Sequence, residues 1–288
     1  MSWNRCTKNK RCAICSKPDW CCYTNDGAAR CMRIHEPPPG WYVCKQDAQG
    51  GTTFRPGDKP SRKREDLLPH KMKARVKKRK NWDVVQGTLH AAVASNELQN
   101  HADELGLSTS SLSALGIGFH GKWECWTFPM YSEDLVCVGV RCRGIDGKKW
   151  AITGSSDGVF CNIVPLKAWP EEVFVCEGPT DTAAMWDLGL FAIGRPSCRG
   201  AVLTIKKLLQ GRQAVIVSDA DGPGREGAEH LAETLCPTST SVKVIEPPCK
   251  DVRAWKVRGT NEAAVRLLVD HAKERRNEKR KQVQRRAC

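Results

Sequence analysis

Two short apolar runs set the pattern of the C-terminal half. Residues 172–176 (Glu-Val-Phe-Val-Cys) and 214–217 (Ala-Val-Ile-Val) are β-branched and continuous rather than alternating. That predicts strands covered on both faces, as in a parallel sheet. Each run ends in a Gly- and Pro-containing turn and then a helical pattern. The first helix has Thr180 as N-cap and carries Ala183, Ala184, Trp186 and Leu188, and the second covers about 225–235. A further strand is expected over 241–245. Upstream, 125–130, 135–143 and 149–153 read as strands, with Ile145-Asp146-Gly147 as the turn between the last two. A helical stretch begins near Trp82 and closes at Gly106, and a shorter one over 108–115 stops at Gly116. The helical pattern over 266–286 has charges on all sides, so it predicts an exposed or nucleic-acid-bound helix.

Breaks in this pattern divide the chain. Pro37-Pro38-Pro39-Gly40 and the Gly- and Pro-containing stretch from Gly50 to Pro60 interrupt periodicity before a basic run. The expected organisation is α/β. A cysteine-rich module covers 1–54, a basic linker 55–80 and a mixed α+β subdomain 81–168. An α/β domain with a mostly parallel sheet covers 169–258, and a basic C-terminal helix or tail 259–288. With 288 residues, 40% of them hydrophobic, a buried core is affordable.

Charge sharpens the division. The chain carries +14 overall, but 55–80 holds +9, 272–288 holds +6 and 1–54 holds +4, leaving −5 on 81–271. An acidic body with basic extensions suits a polyanionic partner, because Lys and Arg on such segments release counterions from nucleic acid. No run of eighteen apolar residues is present, and the first residues lack the apolar stretch of a secretory signal. The expected location is therefore the cytoplasm, with no membrane partner.

Sixteen cysteines raise the question of disulfides, but seven crowd into the first 44 residues and the rest are scattered. In a reducing compartment this distribution points to metal. Cys12 and Cys15 form a C-x-x-C knuckle, from which two thiolates can reach one tetrahedral zinc ion. A second pair is required, with Cys21, Cys22, Cys31 and Cys44 as candidates and Cys6 and His35 as outsiders. The expected set is Cys12, Cys15, Cys21 and Cys31, since the Asp26-Gly27 turn predicts a hairpin returning Cys31 to Cys21. Cys21 against Cys22 stays open. The zinc is read as structural, with Lys17, Trp20, Arg30 and Arg33 offered to a partner such as single-stranded bases.

The chemistry of the second half lies at the strand ends. Strand 172–176 runs into Glu177-Gly178-Pro179-Thr180-Asp181, and strand 214–217 into Ser218-Asp219-Ala220-Asp221-Gly222-Pro223-Gly224. Parallel strands place such carboxylates along the C-terminal edge of one sheet, where α/β folds bind ligands. Asp219 and Asp221, two apart, suit oxygen ligation of Mg²⁺. An apolar strand with Glu-Gly-x-x-Asp, then about forty residues on an apolar strand with Asp-x-Asp-Gly-x-Gly, resembles the TOPRIM domain. Bacterial-type primases, type IA and II topoisomerases, OLD-family nucleases and RecR-like proteins share it. Lys250-Asp251, Gly139-Val-Arg141-Cys-Arg143 and Gly147-Lys148-Lys149 are similar to elements of DnaG-type primases of phage or mobile-element kind. The order of zinc module, mixed subdomain and TOPRIM resembles theirs too.

That resemblance implies a nucleotidyltransferase of DNA replication that makes short primers on single-stranded DNA from nucleoside triphosphates. Its cofactors would be structural Zn²⁺ and catalytic Mg²⁺ or Mn²⁺. It implies Asp219, Asp221 and Asp251 as metal ligands, Glu177 as acid/base or metal-linked carboxylate, and Lys250 as a phosphate contact. Arg141, Arg143, Lys148 and Lys149 would hold template or triphosphate, and Asp181 would brace the Glu177 turn. The alternatives are a TOPRIM metal-dependent nuclease and a non-catalytic RecR-like accessory protein. The three tyrosines, Tyr23, Tyr42 and Tyr131, all precede the motifs, against a topoisomerase. With no G-x-x-x-x-G-K-[ST] loop, a replicative helicase is expected in trans.

Overall fold

The computed structural model describes residues 3–47, 50–57 and 80–276. The chain divides into two compact units, Met1–Lys77 and Lys78–Cys288. Most of the expected basic linker and residues 277–288 lie outside the described residues.

The first unit is a five-stranded antiparallel sheet of β1 (Asn4–Arg5), β2 (Cys22–Tyr23), β3 (Ala29–Cys31), β4 (Trp41–Gln46) and β5 (Thr52–Pro56), in the order β1-β2-β3-β5-β4. The Asp26-Gly27 turn does close a hairpin, with Cys22 opposite Arg30 and Tyr23 opposite Ala29. Gly27 takes φ +87°, a conformation glycine adopts without strain. The core is small: Ile14, Phe54 and Ala29 with the buried cysteines Cys6, Cys12, Cys21 and Cys31. A core built largely of thiols cannot support a fold by apolar burial alone.

The second unit begins with α1 (Trp82–Ala91), α2 (Ser95–Leu105) and α3 (Thr109–Ala114). The single helical stretch expected from Trp82 to Gly106 is two helices. Asn81 caps the first, and the backbone breaks at Ala92–Ala94 before a Glu97 side chain caps the second. An antiparallel sheet follows, β6 (Gly118–His120), β7 (Cys125–Tyr131), β8 (Cys137–Gly144) and β9 (Lys149–Ala151), paired in chain order.

Then come β10 (Glu172–Glu177), α4 (Pro179–Asp187), β11 (Ala192–Arg195), α5 (Val202–Leu208), β12 (Gln213–Val217), α6 (Gly222–Leu235), β13 (Ser241–Ile245), α7 (Val252–Val257) and α8 (Glu262–His271). Their four strands form a parallel sheet in the order β11-β10-β12-β13. Both faces are covered, as the continuous apolar runs require. Val173, Val175, Ala214 and Ile216 pack with α5 and α6, while Phe174, Cys176, Val215 and Val217 pack with α4, α7 and α8. The pair β11 and α5 had no counterpart in the sequence reading. The helix expected over 266–286 ends at His271, where Val265 and Val269 are buried, and the Arg275 backbone then bonds to Val242 at the sheet edge.

Residues 159–160 join the two sheets. Tyr131 and Val159 exchange backbone hydrogen bonds on one side, and Phe160 and Gly194 exchange them on the other. This staple holds the β8 face against the C-terminal edge of the parallel sheet.

Asp187, at the end of α4, ties the helices together. Its side chain accepts from Ser108 N at 2.8 Å, from the Ser108 and Ser111 hydroxyls, and pairs with Lys256 at 3.0 Å. Burial opposes its charge, yet these partners hold the carboxyl below its ordinary value. We expect Asp187→Ala to lower unfolding free energy by about 3 kcal/mol, because four donors lose one buried acceptor. Urea denaturation checks this, and the wild type should lose part of this contribution as pH falls through the carboxylate range.

Candidate active site and metal centre

In the first unit the sulfurs of Cys12, Cys15, Cys21 and Cys31 all lie within 4.8 Å of one another. Cys15–Cys21 and Cys21–Cys31 are 3.7 and 3.9 Å apart. A tetrahedron of sulfurs at about 2.3 Å from zinc has edges of about 3.8 Å, so the set fits the ion closely. Arg33 N and Ile34 N approach Cys31 Sγ at 3.4 and 3.3 Å, as donors that stabilise thiolate. Burial raises the Cys15 thiol, but the Lys17 backbone and the neighbouring cysteines outweigh it and lower it to about 7. Cys22 sits on β2, Cys44 is exposed, and His35 bonds Thr52 Oγ1 at 2.9 Å. Of the basic residues expected to meet a partner, Arg30 pairs with Asp47 at 2.6 Å, and Arg33 pairs with Asp19 while stacking over Trp20. Both are therefore engaged within the module itself.

In the second unit a pocket of about 150 Å³ opens at the C-terminal edge of the parallel sheet. β10 delivers Glu177 and β12 delivers Asp219, because neighbouring parallel strands end together. Gly178 caps α4 with φ +102°, in place of Thr180, and Pro179 fills the first helical position, where no backbone N–H is needed. α6 likewise starts three residues earlier than its sequence pattern. Asp221 accepts from Gly224 N at 2.7 Å, and a Cβ on Gly224 would meet Asp219 O at 2.7 Å. Asp251 caps α7 in the same way.

The opposite wall comes from the antiparallel sheet. Arg141 and Arg143 project from one face of β8, with Lys149 beside Arg143 across the β8–β9 pairing. Arg141, Arg143, Lys149, Glu177, Asp181, Asp219, Lys250 and Asp251 all line the pocket. Lys148 does not; it is exposed at the turn and pairs with Asp146 at 2.7 Å. Asp221 is exposed at the rim, where its charge still acts on Glu177 and Asp219. Asp181 does not brace the Glu177 turn. Its carboxylate reaches α7, accepting from Arg253 N at 3.1 Å.

Burial and mutual repulsion dominate the electrostatics. Desolvation, then Asp181, Glu177, Asp251 and Asp221, raise Asp219 to about 8. Desolvation and Asp251 raise Asp181 to about 7. Glu177 is raised by burial, against the pull of Arg195. Such crowding of oxygen donors around Asp219 suits a divalent cation.

Asp219 and Asp181 hold protons in the folded chain at pH values where the unfolded chain, with aspartates near 3.8, has released them. Without added divalent ion, this contribution to stability is full below about pH 4 and declines as pH rises to about 8. Thermal melts of the zinc-loaded chain should fall by several degrees between about pH 6 and about pH 8.5, and millimolar Mg²⁺ should remove most of the decline.

Arg253 of the pocket wall and Arg195 beside Glu177 escaped the sequence reading. Arg253 follows Asp251 into α7 and lines the pocket. Arg195 ends β11, directly opposite Glu177 in the parallel register. The short run Ala-Ile-Gly-Arg has no strand signature of its own, so only the pairing reveals it.

The arrangement is an α/β fold in which a parallel sheet offers carboxylates to a basic antiparallel sheet. The solved structures that this chain resembles include DnaG-type primase cores. The chain is similar to a DnaG catalytic core, with TM-score 0.53 and 16% identity over 67% of this chain and 79% of that one. It is equally similar to a DnaG primase catalytic domain bound to ssDNA, with TM-score 0.54 and 16% identity over 67% and 77%. A third match is the zinc-binding and RNA polymerase domains of the Aquifex aeolicus primase, with TM-score 0.52 and 12% identity over 66% and 60%. At these identities the likeness is one of fold, and the second unit has the DnaG catalytic-core fold. No family model matches the chain, and no curated protein matches it.

Proposed function

We propose that this protein is a DNA primase, making short primers on single-stranded DNA by nucleotidyl transfer from nucleoside triphosphates. The observation that carries this reading is the opposition, within a primase-core fold, of the Glu177, Asp219 and Asp251 carboxylates to Arg141, Arg143 and Lys149 across one pocket. In this reading 169–258 is the metal-binding half of the core and 81–168 the half that holds template and nucleotide.

The reaction joins the 3′-hydroxyl of one nucleotide to the α-phosphate of a second, with pyrophosphate leaving and the hydroxyl proton passing to solvent or a nearby base. Mg²⁺ or Mn²⁺ held by Asp219 and Asp221, with Asp251 beside them, would offset charge on the attacked phosphate. Arg141, Arg143 and Lys149 hold the polyphosphate or template backbone from the facing wall, and Lys250 meets phosphate beside the aspartates. Gly224 lets the chain pass close to Asp219 where a side chain would collide. The zinc module holds the template strand, and a replicative helicase acts in trans.

The test is a primer-synthesis assay with the full chain, mixed-sequence single-stranded DNA, labelled ribonucleotides and Mg²⁺ or Mn²⁺. Short, template-dependent products are the expected result. No products, with DNA binding intact, would overturn the reading. Metal-dependent loss of the template would then identify a nuclease, and an untouched template an accessory protein.

A further inference from the structure

Arg195 is the largest fully buried side chain of the described residues, with its guanidinium 0% exposed at the end of β11. Nη1 donates to Cys198 O at 2.7 Å and Gly227 O at 3.1 Å, which locks the side chain between the β11 loop and α6. Nε and Nη2 have no hydrogen-bond partner among the described residues. Nη2 lies 3.6 Å from Glu177 Oε2, itself unpartnered, across the β10–β11 pairing. An arginine does not lose its proton in a protein, so this is a permanent cation in a dry site. Such a charge is costly unless an anion faces it, and Glu177 is the carboxylate beside it.

We infer that Arg195 is the resident counter-cation of Glu177, a positioning residue that holds this carboxylate and leaves divalent ions to the Asp219, Asp221 and Asp251 arm. The other charges acting on Glu177 are Asp219 and Asp221 from the β12–α6 turn and Lys149 from β9. Lys149 is exposed on the far wall, so Arg195 alone neutralises Glu177 from within the sheet. One carboxylate of the cluster is thus satisfied by the fold itself, and the site needs one cationic charge fewer from solution. The inference refines the primase reading given above and rests on it for the purpose of the site, but not for its test.

That test is Mn²⁺ binding, measured by calorimetry and by the electron paramagnetic resonance of free Mn²⁺. The full zinc-loaded chain is compared with Arg195→Met, Arg195→Lys, Glu177→Gln and Arg195→Met/Glu177→Gln. Arg195→Met frees Glu177 and is expected to tighten Mn²⁺ binding at least about fivefold or to add one Mn²⁺. Adding Glu177→Gln abolishes that gain, Glu177→Gln alone stays within about twofold of wild type, and Arg195→Lys stays near wild type. Weakening by Glu177→Gln alone would make Glu177 a metal ligand in the native protein and overturn the inference. Unchanged binding in a folded Arg195→Met would reduce Arg195 to a cross-link between β11 and α6. If Arg195→Met fails to fold, Glu177→Gln alone still decides. In primer synthesis, Glu177→Gln and Arg195→Lys should lower kcat with KM for nucleotide unchanged. A chain that binds Mn²⁺ as expected yet makes no primers would sink only the primase reading.

Discussion

Asp219→Asn combined with Asp221→Asn should reduce primer synthesis by at least about a thousandfold, equivalent to about 4 kcal/mol of transition-state stabilisation. Asparagine is the informative replacement. Asp221 caps α6 through Gly224 N, and asparagine caps as well as aspartate, so the helix keeps its start while the charge goes. The double variant should melt no lower than wild type in the absence of Mg²⁺. Burial and its acidic neighbours already raise Asp219 to about 8, so its negative charge works against the folded state at neutral pH. Its melting temperature should also depend less on pH than that of wild type. Activity lost together with a large drop in melting temperature would mean that these aspartates hold the fold rather than the reaction. Activity retained would remove them from the metal site altogether.

Removing zinc should be as drastic for the first unit and mild for the second. Among its described residues the first unit has Phe54 as the one fully buried aromatic side chain and four sulfurs within 4.8 Å at its centre. Binding energies for structural zinc in small modules are about 10–16 kcal/mol, more than so small an apolar core can supply. Cys31→Ala, or chelation strong enough to strip one zinc per chain, should unfold residues of the β2–β3 hairpin while α4–α8 remain protected. Hydrogen exchange read by mass spectrometry separates the two units. Zinc content should fall from one to near zero in Cys31→Ala and stay at one in Cys22→Ala and Cys44→Ala. Loss of zinc in Cys22→Ala would move the ligand set by one residue. Uniform protection after zinc removal would show that the module folds on packing alone.

Much of this was legible before any coordinates because local chemistry dictates it. Continuous apolar runs at 172–176 and 214–217 can be satisfied only with both faces covered, and their carboxylate ends must then share one edge. C-x-x-C, an Asp-Gly turn and a returning cysteine point to a zinc cradle, and the fold chooses Cys21 over Cys22 as its fourth member. Elements without a local signature were not legible. The Ala192–Arg195 strand is four residues long with a glycine and an arginine in it, and it forms because β10 offers it an open edge. The end of α8 at His271 ran against a helical charge pattern that continues to 286, because the Arg275 backbone bonds to Val242 at the sheet edge.

The sequence by itself determined which residue types were available and where they fell: Glu177, Asp219 and Asp221 beyond their strands, and Cys12, Cys15 and Cys31 in the first module with Cys21 against Cys22 open. Tertiary structure decided what each of them faces. Asp181 turned from the Glu177 loop to the Arg253 backbone, Lys148 turned to Asp146, and Arg195 entered the core opposite Glu177. The reason is physical. Spacing along a chain sets the direction of a side chain relative to its own element, whereas its partner is set by which element packs beside it. That packing is a property of the whole core.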